Sequence, residues 1–156
     1  MMRLVVLFCY LLPVLSYAQA GRCTNTFIEK KCEDAARIYL DEDYEPESTV
    51  YFRADESPGT QFKKEMDSDF EYIILLITPK GTTSGAISIF DNRQSNKATE
   101  KKSLYLDSDY VTLEFTPHYD GVYNLIGSIR TKGGADNCSA LVVLKREPDP
   151  EPGRRK

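Results

Sequence analysis

The 156-residue chain has no tryptophan and one histidine, His118. A single imidazole supplies at most one histidine base and excludes the paired histidines of a metalloprotease helix. No serine sits in a Gly-x-Ser-x-Gly elbow, and neither a phosphate-binding Gly-Lys-Ser/Thr loop nor a dinucleotide fingerprint occurs. Without tryptophan, a carbohydrate-stacking site would have to draw on the ten tyrosines. Carboxylates are so plentiful that no glycosidase-like pair stands out. A basic excess is also missing. The net charge is −4, and nucleic acid demands a basic face. Nine glycines and eight prolines are too few for a fibrous chain, and 41% hydrophobic residues are too many for a disordered one. The length suits one globular domain that buries roughly two thirds of its unfolded surface.

Beyond residue 20 no long apolar run occurs; the longest, Phe70–Thr78, is of strand length. The start of the chain is different. Met1-Met2-Arg3 is positive, Leu4–Tyr17 is almost wholly apolar, and Ala18-Gln19-Ala20 has the small-x-small pattern that signal peptidase cuts. Residues 1–20 therefore read as a signal peptide, and the mature protein is expected outside the cell. Losing Arg3 shifts the net charge from −4 to −5.

Cleavage also removes Cys9 and leaves Cys23, Cys32 and Cys138. In an oxidising compartment two of the three pair. Joining Cys23 or Cys32 to Cys138 closes a long loop, which chain entropy favours by ~4.7 kcal/mol against ~3 or less for Cys23–Cys32. The odd thiol is then either buried or linked to a second chain as a disulfide dimer. Asn137-Cys138-Ser139 is the one glycosylation sequon, which makes Asn137 a candidate glycan site. Three scattered cysteines and one histidine lack zinc-ligand spacing.

The body reads as short strands separated by turn signals: residues 36–40, 49–54, 70–78, 85–91, 103–106, 110–116, 122–130 and 139–145. Val111, Leu113 and Phe115 alternate with Thr112 and Glu114, and the breakers Pro58-Gly59, Pro79-Lys80-Gly81 and Lys132-Gly133-Gly134 intervene. Tyr72–Ile77 is apolar on both sides, as a strand covered on both faces would be. The expected fold is all-β, a single β-sandwich of jelly-roll or immunoglobulin-like type with about eight strands over residues 37–146. Residues 21–36 form an N-terminal arm or short helix, because Thr26-Phe27-Ile28-Glu29 matches a capping box. Residues 147–156, rich in proline and charge, form a solvated tail.

Leu113–Pro117 followed by Asp120-Gly121-Val122-Tyr123-Asn124-Leu125 reads as strand, corner, strand. This stretch resembles the strand-corner-strand of bacterial prepeptidase C-terminal domains and, more loosely, of immunoglobulin-like domains. The resemblance implies a sandwich in which the Tyr123 hydroxyl folds back to the connecting loop. The chain departs from an immunoglobulin domain in lacking the core tryptophan and the cysteine two residues after the tyrosine, where Leu125 stands.

Three segments repeat Asp-x-Asp-aromatic: Asp41–Tyr44, Asp67–Phe70 and Asp107–Tyr110. Carboxylates at Asp41, Asp43, Asp67, Asp69, Asp107 and Asp109 offer hard oxygens to calcium at weak extracellular-type sites. The competing reading is turn chemistry, in which Asp and Ser bond their own backbone. Glu33, Asp34, Glu45, Glu47, Glu65 and Glu71 would add to a diffuse cation-attracting face. No other cofactor is expected.

These readings lead to a secreted, non-enzymatic extracellular matrix or interaction protein, calcium- or mineral-associated through its acidic turns. Its partners would be extracellular proteins or matrix components, with no nucleic acid and no membrane span. A secreted binding or effector module of salivary, venom or inhibitor type is the alternative, and a small hydrolase the third.

Overall fold

The computed structural model describes residues 23, 26–54, 60–93, 98–105, 109–132 and 137–148, the backbone alone for 98–105. The leader, Asp107 and the tail from residue 149 lie outside the described residues. One helix, α1 (Thr26–Leu40), precedes eight strands. These are β1 (Glu45–Arg53), β2 (Thr60–Met66), β3 (Glu71–Ile77), β4 (Thr82–Asp91), β5 (Ala98–Tyr105), β6 (Tyr110–Phe115), β7 (Gly121–Thr131) and β8 (Cys138–Arg146).

The strands form two antiparallel sheets, in the orders β1-β8-β3-β6 and β2-β7-β4-β5. In both rows chain neighbours are mostly kept apart, and the interleaving of the two rows is that of a jelly roll. Of the two expected sandwich types, the connectivity selects this one.

Alternation builds the core between the sheets. The first sheet contributes Phe52, Tyr72, Ile74, Leu76, Val111, Leu113, Phe115, Leu141 and Val143, and the second Met66, Ile87, Ile89, Tyr123 and Leu125. Gly127 breaks the inward row of β7 for lack of room. A Cβ there would stand 3.0 Å from Leu76 Cδ1 and 3.2 Å from the Phe52 ring. The other face of the first sheet is also covered. Ile28, Cys32 and Ala35 of α1 pack on Ile73, Leu75 and Ile77 of β3 and on Ala140, Val142 and Leu144 of β8. The two-faced apolar run at Tyr72–Ile77 is thus a central strand between helix and core, as expected. Cys23 bonds Cys138, 115 residues apart, and pins the approach to α1 onto the start of β8. This is one of the two long bridges anticipated.

Three local expectations are corrected. Residues 36–40 are helical, because Ala36 and Tyr39 continue the stripe of Ile28, Cys32 and Ala35 at helical spacing onto the same apolar face. The helical region therefore runs to Leu40, not Ala36, and sheet structure starts at Glu45, not residue 37. Strand β2 went unpredicted: in Thr60-Gln-Phe-Lys-Lys-Glu-Met only Phe62 and Met66 are apolar, as suits an edge strand with one solvated face.

The expected tyrosine corner is present. Tyr123 is buried, and its hydroxyl donates to the Tyr119 carbonyl at 3.1 Å. Its ring stacks on Tyr119 and meets Phe115 edge-on, both at 5.3 Å between centroids.

Candidate functional site

Two of the three acidic turns meet at one end of the sandwich. The first ends α1. Asp43 takes φ 62°, a left-handed conformation that Asp tolerates better than most residues, and the Tyr44 N–H bonds back to the Tyr39 carbonyl at 3.2 Å. Tyr44 is thereby buried against Tyr39, with ring centroids 6.1 Å apart. Asp41 and Asp43 themselves point to solvent.

The second turn precedes β3. Asp67 Oδ1 accepts the Asp69 N–H at 2.9 Å, and the Asp67 N–H donates to the Tyr72 hydroxyl at 3.0 Å. Asp120 reaches across from the β6–β7 corner. Its Oδ1 accepts the Ser68 N–H at 2.8 Å and the Ser68 hydroxyl at 2.6 Å. Those Ser68 bonds hold the exposed Asp120 carboxyl below its ordinary value. At this turn the carboxylates satisfy backbone and hydroxyl donors, which is the turn-chemistry reading.

Basic side chains from β2 and β8 stand between and around the two turns. Glu47 accepts Lys64 Nζ and Lys145 Nζ, each at 2.8 Å. Because β1 and β2 are edge strands of different sheets, this carboxylate ties the two layers together. The bonds from Lys145 and Lys64 hold the Glu47 carboxyl below the usual carboxylate range, against the opposing effect of burial. Arg146 bonds Glu71 Oε2 through Nε at 2.9 Å and the Glu42 carbonyl through Nη1 at 3.3 Å. Its guanidinium lies 4.6 Å from the Tyr44 ring centroid, and Lys145 Nζ lies 5.0 Å from that of Phe70.

The result is a pair of shallow polar clefts that share Phe70 and Lys145. One, of about 360 Å³, is lined by Glu42, Asp43, Glu45 and Arg146; the other, of about 490 Å³, by Glu47, Lys64, Asp67, Tyr72 and Asp120. Among the described residues no three His, Cys, Asp or Glu side chains converge closely enough to hold a metal ion. Asp69 faces solvent beside these clefts. The third acidic segment is elsewhere: Asp109, just before β6, pairs with Lys31 of α1 at 2.5 Å, and Asp107 lies outside the described residues.

The sequence flagged Asp43, Asp67 and the flanking Glu47 and Glu71. It missed Lys64, Lys145, Arg146 and Asp120, whose proximity depends on strand order. His118 is exposed at the corner. Asn137 is half-buried, and its carbonyl accepts the Ala54 N–H at 2.7 Å. Cys32 is the odd thiol and is buried on the inner face of α1, against β3 and β8. Burial first, then the nearby Glu29 and Glu33, raise its pKa to about 11, so it stays protonated at neutral pH. Of the two fates anticipated for that thiol, the structure places it in the buried one. Among the described residues no helix is long and apolar enough to cross a membrane, and the Cys23–Cys138 bond suits an oxidising compartment.

Comparison with protein-family models, curated proteins and solved structures finds no match.

Proposed function

We propose that the protein is a secreted, non-enzymatic extracellular interaction or matrix protein whose acidic end meets a cationic surface, calcium-bearing matrix included. One observation carries this reading. Glu42, Asp43 and Glu45 from the end of α1 to the start of β1, Asp67 from the turn before β3, and Asp120 from the β6–β7 corner gather around two adjoining clefts. The cations there, Lys64, Lys145 and Arg146, are already engaged by Glu47 and Glu71. Carboxylate charge is left in excess at the surface, and a local excess of one sign attracts the opposite sign over a screening length of about 8–10 Å. Attraction of this kind is diffuse and salt-sensitive, unlike a coordination cage.

The test is retention on calcium phosphate and calcium carbonate particles, with thermal melting in millimolar calcium. Retention is expected to fall several-fold in about 0.5 M salt. It should also fall in the combined variant Asp43→Asn, Asp67→Asn, Asp120→Asn, which keeps each side-chain acceptor oxygen. Absence of both retention and a melting shift removes the matrix reading. A single stoichiometric protein partner would favour the effector module, and turnover lost on His118→Ala would favour the hydrolase.

A further inference from the structure

The sandwich has four edge strands, and three carry devices that discourage a foreign strand. β1 contains Pro46 and a register break between Pro46 and Ser48. β2 carries Lys63 and Lys64. β5 contains Lys101 and Lys102, with a register break opposite Ile89 and Phe90. β6, Tyr110-Val-Thr-Leu-Glu-Phe115, has no proline, lysine or arginine, and its register on β3 is unbroken from end to end.

The backbone phase of β6 is also fixed. The Thr78 N–H donates to the Asp109 carbonyl at 3.0 Å, so odd-numbered residues turn their backbone groups toward β3. Thr112 and Glu114 consequently turn theirs toward the outer edge. Helix α1 packs on β8 and β3 and reaches this strand from the outer face of the sheet by side chains, with Lys31 paired to Asp109 and the Tyr39 hydroxyl 3.2 Å from Thr112 Oγ1. Between them lies a mainly apolar groove of about 480 Å³, lined by Phe27, Ala35, Ile38 and Tyr110 among others. Ile38 is 53% exposed and Phe27 46%.

We propose that two copies of this chain pair antiparallel through β6 about a two-fold axis at Thr112. A two-fold contact must be self-complementary, and this register is. Thr112 faces Thr112 of the second copy, a favourable cross-strand pair, and Tyr110 faces Glu114. Glu114 then stands one residue from the second copy's Asp109, where Lys31 is held, and no like charges oppose. Val111 and Leu113 remain on the core face. The Tyr39–Thr112 contact puts the C-terminal half of α1 beside the axis, where the two Ile38 side chains cover one another. The product is a continuous eight-stranded sheet, formed without Cys32.

The test is sedimentation equilibrium of the wild-type protein and of Thr112→Lys, which sets two ammonium groups face to face on the axis. Wild type is expected to dimerise, and the variant to dissociate roughly tenfold or more readily. Ile38→Asp is expected to act in the same direction from the helix. Thr112→Cys supplies a second readout: directly paired residues have Cα atoms about 5.5 Å apart, within disulfide reach. It should cross-link under mild oxidation, whereas Gln61→Cys on the β2 edge should not. A wild-type protein that stays monomeric up to about 0.1 mM overturns the proposal. So does a dimer indifferent to Thr112→Lys, and so does capture of an unrelated extended peptide by a monomeric β6.

Discussion

The two sheets of the sandwich are covered unequally. The first is enclosed twice, by the core beneath it and by a disulfide-pinned helix above it, so β3 and β8 are apolar on both faces. The second is enclosed once. Its outer face, with Ser84, Ala86 and Ser88 on β4 and Val122, Ile126 and Ser128 on β7, remains half-buried or exposed. Stability should therefore concentrate in the first sheet, leaving the second tolerant of change on its outer side.

The largest expected effect removes the pin. Replacing Cys23 and Cys138 by serine frees a 115-residue loop and should cost about 4–5 kcal/mol in the chain-entropy account. Denaturant melts measure it, and native hydrogen exchange should show α1 loosening before the second sheet does. Next comes Leu76→Ala, which opens a cavity in a fully buried position of β3 and should cost about 3 kcal/mol. Tyr123→Phe leaves the Tyr119 carbonyl without its corner donor, for about 1 kcal/mol.

A pH series tests the link between the layers. The Glu47 carboxyl is held below its ordinary value by Lys145 and Lys64, so its contribution is complete above the unfolded carboxylate pKa. That contribution disappears as acidification carries the pH down through the lowered folded value. Glu47→Gln should lower stability by about 1 kcal/mol near pH 7, a figure discounted for partial solvent exposure, and by progressively less as acid carries the pH below the unfolded carboxylate value. Ile126→Ala, on the open face of the second sheet, should fall below about 1 kcal/mol. If it approached the Leu76→Ala value, the contrast between the sheets would fail.

The same contrast governs what could be read from the amino acids alone. Strands with a regular apolar pattern announce themselves, so the two-faced β3, the alternating edge strand β6 and the Gly-Val-Tyr corner were legible from alternation and turn chemistry. β2 was not, because only Phe62 and Met66 interrupt its polar run, which leaves too few apolar positions to show alternation. Residues 36–40 misled because Ile38 and Tyr39 favour strands, whereas the apolar surface of β3 and β8 rewards helical spacing. The acidic turns were visible as a repeated motif. Their cationic neighbours were not: Lys145 and Arg146 arrive from a strand about a hundred residues away, beside Glu42 and Glu47 only because β8 runs antiparallel to β1.

The Cys23–Cys138 bond closes residues 23 to 138 into a covalent ring that holds all of α1 and every strand except the remainder of β8. A protease that severs any one surface turn inside that ring linearises it without releasing a fragment. Such a nicked molecule stays in one covalent piece until a reductant is added, a durable arrangement wherever the chain meets a protease.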